Sequence, residues 1–187
     1  MMFKKEAKDL KEIVEWLKKG NILCTETDTT IGFCALNEEV LYEAKKRDRN
    51  KKFIKFINIS SLLEILSPIQ IKFMSEFWPG RTTLIINKIA YRNPTTFLIN
   101  QLLHHVDSMY STSANISGCL LHKTIEDVYE EFKDNDKIMY VNKTLKDKII
   151  SNIPSTIVDI DEWKILRYGD TAKDVDKFFE RYINVQK

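Results

Sequence analysis

The chain contains 187 residues, of which 43% are hydrophobic and 30% are charged. This balance excludes an intrinsically disordered chain and is typical of one globular domain, here expected to span residues 1–187. The 29 basic residues are nearly matched by 27 acidic ones, and the net charge of +2 gives no general attraction to nucleic acid. A phosphate site therefore has to come from the local placement of Lys and Arg.

The N-terminus and the cysteines indicate the cellular compartment. The N-terminal segment lacks the apolar core of a signal peptide, and no apolar run is long enough to cross a bilayer. The three cysteines, Cys24, Cys34 and Cys119, form no C-x-x-C pair, and their odd number argues against a disulfide framework. The sequence therefore predicts a cytoplasmic protein without a membrane partner.

Periodicity and capping residues predict the elements in chain order. Helices are expected at 4–19, 37–50, 60–66, 68–78, 93–106, 124–132 and 172–183. Strands are expected at 21–26, 31–36, 52–59, 81–88, 88–92, 137–141, 155–160 and 163–168. Gly20 is expected as a C-cap, Asn37 as an N-cap, and Pro94 in the first turn of its helix.

The order of these elements predicts the fold class. Strands and helices alternate along the chain, which favours an α/β fold with helices packed against a sheet. Several neighbouring strands, such as 81–88 and 88–92, are too close for a crossover helix between them. We therefore expect a single domain with a twisted, mixed parallel and antiparallel sheet and flanking helices.

The few glycines exclude the common phosphate-binding loops. Gly20, Gly32, Gly80, Gly118 and Gly169 cannot form G-x-x-x-x-G-K-[ST] or G-x-G-x-x-G. If a nucleotide binds, side chains and hydroxyls have to hold its phosphates. The sequence also contains no H-E-x-x-H, no Cys/His metal spacing and no G-x-S-x-G, so no direct metal ligation by the protein is predicted.

Three polar segments stand out from the remaining sequence. They are "TETDTTIGF" at 25–33, "AKKRDRNKK" at 44–52 and "STSANISG" at 111–118, the last predicted as a loop. Each alone also has a purely structural interpretation. The basic segment could compensate a helix dipole on a solvated surface, and "STSAN" could be a hydroxyl turn in which Asn115 caps the next segment.

Seven segments taken together resemble one protein family. In chain order they are "ETDTTIGF", "KKRDRNKK", "WPGRTT", "RNP", "STSANISG", "PSTIVD" and "ILRYG". The YrdC/TsaC-like threonylcarbamoyl-adenylate synthases carry, in the same order, P-T-[DE]-T-x-Y-G-[LF], K-x-R-P-x-x-K-P, W-P-G-x-x-T, R-x-P, S-x-N within S-T-S-A-N-x-S-G, P-S-T-[IV]-[IV]-D and [IL]-L-R-x-G. The resemblance covers residues 22–169 and implies a YrdC-like fold.

The resemblance implies a nucleotidyltransferase, an L-threonylcarbamoyladenylate synthase. Such enzymes condense L-threonine, bicarbonate and ATP, with Mg²⁺, into threonylcarbamoyl-adenylate and pyrophosphate. This is the first step of the threonylcarbamoyladenosine modification next to the anticodon of certain tRNAs. The implied partners are the three substrates, the downstream tRNA-threonylcarbamoyl-transferase machinery and tRNA itself. The chemistry requires positioned anions and neutralised phosphate charge, without a covalent enzyme intermediate.

The resemblance also implies roles for particular residues. Lys45 and Arg47 match K-x-R and are expected to be catalytic, facing the phosphates or the reacting carboxylate. The expected ATP-binding residues are Lys45, Arg47, Lys51, Ser113, Asn115 and Arg167. The expected threonine-binding residues are Thr27, Arg92, Ser111 and Ser155, and Arg92 is suited to a bidentate pair with the threonine carboxylate.

The sequence departs from the family pattern at four positions. Glu26, Asp48 and Lys52 stand where the family has prolines, and Ile31 stands where it has tyrosine. The link "NKIA" between "TLII" and "YRNP" is also shorter than in family members, which predicts a trimmed fold.

Two other functions compete with the synthase. The first is an RNA-binding YrdC-like module with weak or no synthase activity, for which the basic segment supplies charge. The net charge of +2 and the scarcity of aromatic residues in that segment argue against it. The second is a carbamoyl-adenylate-forming relative that uses carbamoyl phosphate, but hydrogenase-maturation proteins of that kind carry zinc-finger and acylphosphatase regions that this sequence lacks.

Overall fold

A computed structural model describes residues 9–141, 151 and 153–183 of the protein. The helices are α1 (Leu10–Lys18), α2 (Glu38–Lys45), α3 (Pro68–Phe77), α4 (Phe97–Leu102), α5 (Ile125–Phe132) and α6 (Ala172–Tyr182), with a 3-10 helix at Ile59–Ile65. The strands are β1 (Ile22–Glu26), β2 (Ile31–Ala35), β3 (Ile54–Ile57), β4 (Thr82–Ile86), β5 (Ile89–Arg92), β6 (Ser108–Ser113), β7 (Ile138–Val141), β8 (Thr156–Asp159) and β9 (Lys164–Arg167). Residues 4–8 of the first predicted helix lie outside the described residues.

All of these strands belong to one mixed sheet, which confirms the predicted fold class. The strand order is β7-β1-β2-β6-β3-β5-β4-β8-β9. The pairs β1–β2, β2–β6, β3–β6, β4–β5 and β8–β9 are antiparallel, and β1–β7, β3–β5 and β4–β8 are parallel. The short connections at 27–30 and 87–88 close antiparallel pairs, as their length requires.

The sheet has two faces because successive side chains in a strand point to opposite sides. One face, which includes Phe33, Leu84 and Val158, packs against α2 and α5 at one end and against α3 and α6 at the other. The second face packs against α1 and α4 through residues such as Leu23 and Met109. The cavity described below lies on this second face, where Gly32, Ile54 and Ile85 are among its lining residues.

Strand β6 is the largest difference from the sequence prediction. The sequence predicts a loop for residues 111–118, but Ser111, Thr112 and Ser113 form the end of β6, between β2 and β3. Thr112 favours a strand, but serine has no strong strand preference, so the pairing with a strand on each side decides the conformation of this segment. The loop proper begins only at Ala114.

Two helices are shorter than the sequence predicts. Helix α4 begins at Phe97 with Thr96 as its N-cap, so Pro94 precedes the helix and does not lie in its first turn. The segment before it is held elsewhere, because the Thr95 amide donates a hydrogen bond to the carboxylate of Asp28 at 3.0 Å. Helix α2 has Asn37 as its N-cap, as predicted, but ends at Lys45.

The end of α2 is set by its backbone. Lys46 adopts the left-handed conformation at φ 49°, and the Arg47 amide donates to the carbonyl of Tyr42. This closing pattern is common at helix C-termini and turns the basic segment away from the helix axis. In the part of the chain that the structure describes, no helix is both long and apolar enough to cross a membrane.

An aromatic cluster around Phe178 packs α6 against α3. The Phe178 ring is 1% exposed and lies 4.8 Å from the ring of Phe73 and 4.7 Å from that of Tyr182, between centroids. We predict that Phe178→Ala lowers the free energy of unfolding by about 3–5 kcal/mol, because it removes a buried ring and leaves a cavity. Urea denaturation measures this change. Leu120→Ala, at a position that is 91% exposed, should change it by less than about 0.5 kcal/mol.

Candidate functional site

A cavity of about 480 Å³ lies on the second face of the sheet. Four cationic residues line it: Arg47, Lys52, Arg92 and Arg167. Seven hydroxyl residues line it as well: Thr27, Thr29, Thr30, Ser111, Thr112, Ser113 and Ser155. Among the described residues that line the cavity, none is Asp or Glu. The volume suits a small molecule, and the charge favours one with several negative charges.

The turn between β1 and β2 is organised by Thr27. Its hydroxyl donates to the carbonyl of Thr30 at 2.7 Å and accepts from the amides of Thr29 and Thr30. This bonding directs the Thr27 oxygen into the turn. Gly32 follows on β2, where a Cβ would lie 3.2 Å from the Thr112 carbonyl oxygen and 3.3 Å from Cγ2 of Thr27. The absence of a side chain at Gly32 therefore keeps the cavity floor open.

Arg92, at the end of β5, lies buried beside this turn. Its guanidinium forms an ion pair with Asp28 and donates to the hydroxyl of Thr29 at 3.0 Å and to the carbonyl of Gly80 at 3.1 Å. These three bonds leave one further N–H on each terminal nitrogen of Arg92. The other Asp28 oxygen accepts from Thr95. The pair therefore joins the β1–β2 turn, the end of β5 and the entrance to α4.

Ser155 and Arg167 meet at the side of the cavity where β8 begins. The Ser155 hydroxyl shares a hydrogen bond of 2.8 Å with Thr83 and accepts one of 3.0 Å from Arg167. Arg167 also donates to the Ser155 carbonyl at 2.9 Å. Gly169 makes this approach feasible, because a Cβ there would lie 2.5 Å from the backbone nitrogen of Thr156.

The side chain of Lys45 holds the "STSAN" segment in place through hydrogen bonds to its backbone. The Lys45 side chain is 1% exposed, and its ammonium lies 2.5 Å from the carbonyl oxygens of both Ser113 and Asn115. The Asn115 amide group accepts from the Ser113 hydroxyl at 2.7 Å and donates to the Cys119 carbonyl at 2.7 Å. Lys45 and Asn115 thus hold the strand end and the following loop in shape.

Ser111 lies on the cavity floor in front of a buried thiol. Cys34 is fully buried, and its sulfur lies 3.7 Å from the Ser111 hydroxyl. Burial raises the pKa of the Cys34 thiol to about 12, so this residue stays protonated and is not a nucleophile at neutral pH.

The basic segment is ordered without the prolines of the family pattern. The Asp48 carboxylate accepts from the Asn50 amide, and the Lys51 amide donates to the Asp48 carbonyl at 3.0 Å. Arg47 donates to the carbonyls of Lys51 and Lys52, at 3.0 Å in each case. Hydrogen bonds therefore replace proline rigidity in holding Arg47 at the cavity.

The arginines of the cavity carry a desolvation cost. Burial lowers the pKa of the Arg92, Arg167 and Arg47 guanidinium groups, and for Arg92 the neighbouring Asp28 opposes this shift. Each group stays charged at neutral pH, because arginine titrates far above that range. An anion in the cavity would offset the lost hydration.

Seven of the ten predicted site residues line the cavity: Thr27, Arg47, Arg92, Ser111, Ser113, Ser155 and Arg167. The other three do not. Lys45 and Asn115 lie behind the lining, and Lys51 is exposed outside it. The direct contacts of these three with ATP stay predictions.

Several residues in or beside the cavity were not predicted from the sequence as site residues. Lys52 lines the cavity one position after Lys51, and Thr29 and Asp28 hold Arg92. The "TETDTT" segment gave a signal for Thr29 and Asp28, since its polar residues connect two strands. No signal distinguished Lys52 from Lys51. Ile31, which stands where the family pattern has tyrosine, is buried in the hydrophobic core beside α2 and α5 and does not line the cavity.

Among residues 9–141, 151 and 153–183, no group of three or more His, Cys, Asp or Glu side chains could hold a metal ion. The lining supplies hydroxyls and cations, so a divalent ion would rely on phosphate oxygens for its negative ligands.

The fold and the cavity together define an α/β small-molecule domain whose site is suited to anions. The chain belongs to the Sua5/YciO/YrdC family, described as telomere recombination, whose model matches residues 15–169. The structural comparison agrees: the protein is similar to P. abyssi Sua5 in complex with L-threonine, with a TM-score of 0.77 and 23% identity, over 90% of this chain and 56% of that one.

Further relatives show how widely the fold is shared. E. coli YciO matches with a TM-score of 0.71 and 16% identity, over 89% of this chain and 94% of that one. Full-length HypF in its phosphate- and nucleotide-bound form matches with a TM-score of 0.68 and 18% identity, over 87% of this chain and 29% of that one. At such identities the likeness establishes the fold.

The curated relatives are longer proteins. MG259 of Mycoplasma genitalium, an uncharacterised protein, is 27% identical over 92% of this chain and 37% of its own length. Its Mycoplasma pneumoniae homologue is 35% identical over 56% of this chain and 23% of its own length. The chain therefore spans less than two fifths of the length of these relatives.

The buried ammonium of Lys45 predicts a pH dependence of stability. Burial lowers the pKa of Lys45 to about 8, against about 10.4 in an unfolded chain. Below the folded pKa both states are protonated and the burial cost is fully present. Between about pH 8 and 10.4 only the unfolded state keeps the proton, so folding stability should rise with pH. We predict that wild type gains up to about 3 kcal/mol relative to Lys45→Met over this range.

Urea denaturation of both proteins at the two ends of this range measures the effect. The variant lacks the group, so the difference cancels the titration of other residues. Lys46→Met, at the exposed neighbouring position, controls for the loss of one lysine. A stability difference that does not change with pH would contradict the desolvation of Lys45.

Proposed function

We propose that the protein is an L-threonylcarbamoyladenylate synthase, which forms threonylcarbamoyl-adenylate and pyrophosphate from L-threonine, bicarbonate and ATP. The observation that carries the proposal is the cavity with four cationic residues, seven hydroxyl residues and no carboxylate among its described lining residues. The substrates bring one triphosphate and two carboxylate-type anions. A cavity of this charge binds them together and brings their reacting atoms close.

The Arg92 end of the cavity is the proposed threonine site. Asp28 and Thr29 fix the plane of the buried guanidinium, and its two remaining terminal N–H groups suit a carboxylate. Ser155, Ser111 and Thr27 supply hydroxyls or backbone groups for the rest of the amino acid. The threonine complex of Sua5, which shares this fold, supports the assignment of the amino acid.

The proposed ATP site extends from Arg47 to Arg167. Arg47 and the Ser113 hydroxyl lie toward the basic segment and would bind phosphate oxygens, and Arg167 would contact the nucleotide. We assign Lys45 and Asn115 the role of positioning Ser113, because their polar groups bond within the loop. HypF has the same fold and has been observed in a phosphate- and nucleotide-bound form, which supports a nucleotide here.

The reaction requires positioning and charge neutralisation. The threonine amine and bicarbonate give a carbamate and water. A carbamate oxygen then bonds to the α-phosphorus while the bond to pyrophosphate breaks, and the electron pair leaves with pyrophosphate. Arg47 would neutralise the growing charge on the phosphate oxygens, and Arg92 would hold the threonine carboxylate away from the phosphorus. Mg²⁺, when bound with ATP, would supply further neutralisation of the phosphates.

The product has a role in tRNA modification under this proposal. The adenylate is a mixed anhydride that transfers its threonylcarbamoyl group, so a tRNA-threonylcarbamoyl-transferase has to consume it. We place the reaction in the cytoplasm, where ATP, threonine and tRNA are present together.

A pyrophosphate-release assay tests this function. We predict release that requires ATP, L-threonine, bicarbonate and Mg²⁺ together, because the carbamate is the proposed nucleophile. Omitting threonine or bicarbonate is the internal control. Release that ignores threonine would contradict the proposal, and salt-dependent tRNA binding that ATP and threonine leave unchanged would favour the RNA-binding alternative.

Arg47 and Arg49 provide a matched pair for testing the phosphate end. Arg47 lines the cavity, whereas Arg49 is exposed and pairs with Glu39. We predict that Arg47→Ala lowers kcat/KM for threonine-dependent pyrophosphate release by about 100-fold or more, because it removes charge stabilisation of the transition state. Arg49→Ala should stay within about twofold of wild type.

Thermal unfolding of both variants separates catalysis from folding. Arg47 also bonds to the carbonyls of Lys51 and Lys52, so a modest drop in Tm is compatible with the prediction. Equal turnover in the two variants would remove Arg47 from the mechanism.

A further inference from the structure

Two adjacent lysines end the basic segment, and they differ in their position relative to the cavity. Lys51 and Lys52 are both exposed, yet only Lys52 lines the cavity. The resemblance to the family assigns the phosphate-binding role to Lys51 and places a proline at the position of Lys52. The geometry of this chain favours the opposite assignment.

The backbone of this lysine pair is held on several sides. The carbonyl of Lys51 accepts from Nε of Arg47 at 3.0 Å and from the Tyr42 hydroxyl at 3.3 Å. The carbonyl of Lys52 accepts from Nη2 of Arg47 at 3.0 Å. The next residue, Phe53, is buried with the Arg47 guanidinium 4.9 Å from its ring centroid. These contacts hold the backbone of the pair in place beside the cavity, which Lys52 lines.

Arg47 and Lys52 differ in how many of their hydrogen-bond donors are available to a ligand. Two nitrogens of Arg47 already donate to the backbone, so only part of its guanidinium can bind a ligand. Within the described ranges, no hydrogen bond or ion pair is formed by the Lys52 ammonium, which has three donors. A phosphate group that reaches Arg47 would therefore meet a second, uncommitted cation on the same segment.

We propose that Lys52, and not Lys51, binds phosphate oxygens of the ligand in this cavity. The inference rests on the proposed function in taking that ligand to be a nucleoside triphosphate. The substitution of the family proline by Lys52 thus adds a cation to the site, while the hydrogen bonds of Arg47 and Asp48 keep the segment ordered.

Binding measurements on Lys52→Gln and Lys51→Gln test the proposal. Both side chains are exposed, so neither change should impair folding, and each removes one charge from the same segment. Isothermal titration calorimetry with ATP, and separately with inorganic pyrophosphate, gives the Kd values. We expect Lys52→Gln to weaken both by about tenfold at low salt and Lys51→Gln by less than about twofold. The Lys52 effect should shrink as salt increases.

The outcomes separate this inference from the proposed function. Equal weakening in the two variants, a larger effect at Lys51, or no binding of either probe to wild type would overturn the assignment of Lys52. Selective loss at Lys52 would support it even if wild type released no threonine-dependent pyrophosphate, a result that would reject only the synthase proposal. If pyrophosphate release is observed but the two variants behave alike, the synthase proposal stands and the inference fails.

Discussion

The buried ion pair between Arg92 and Asp28 determines how the cavity is assembled. Asp28 precedes β2, and Arg92 lies on β5. Two other strands, β6 and β3, lie between β2 and β5 in the sheet. At about 4.8 Å per strand, the pair links segments that the sheet itself keeps well apart. Removing one partner of such a pair costs about 3–5 kcal/mol, because it leaves the other charge buried without compensation. The pair therefore constrains the β1–β2 turn, the end of β5 and, through Thr95, the start of α4.

The other cations of the cavity differ from Arg92 in having no carboxylate partner among the described lining residues. Asp28 compensates Arg92, but the lining described by the structure gives Arg47, Lys52 and Arg167 no carboxylate. Arg47 and Arg167 bond mainly to backbone carbonyls and a serine hydroxyl, which orient a guanidinium without neutralising it. A preorganised set of cations binds anions without further rearrangement, and this is the property that phosphoryl chemistry requires. Burial gives these cations a desolvation cost, which an anion bound in the cavity would offset.

The sequence predicted which residues line the cavity better than how they are arranged there. Thr27, Arg92 and Ser155 could be predicted because each lies in a short segment next to a strand end, where local pattern and family resemblance agree. Lys45 and Lys51 could not be placed in the same way. Lys45 ends a helix, and its burial depends on the β6 strand and the loop after it, more than 60 residues away in sequence. Lys51 and Lys52 are identical in type, so only the conformation after Lys46 decides which one faces the cavity.

The sequence alone determined the fold class, most of the elements and the polar segments that form the site. Apolar periodicity and capping residues are local signals, and they specify helices and strands wherever tertiary contacts agree with them. Tertiary structure decided that Ser108–Ser113 is a strand, that α4 starts after Pro94, and which lysines are buried or directed to the cavity. These features depend on pairing with distant strands and on buried hydrogen bonds, whose free energies exceed the weak preferences of single residues.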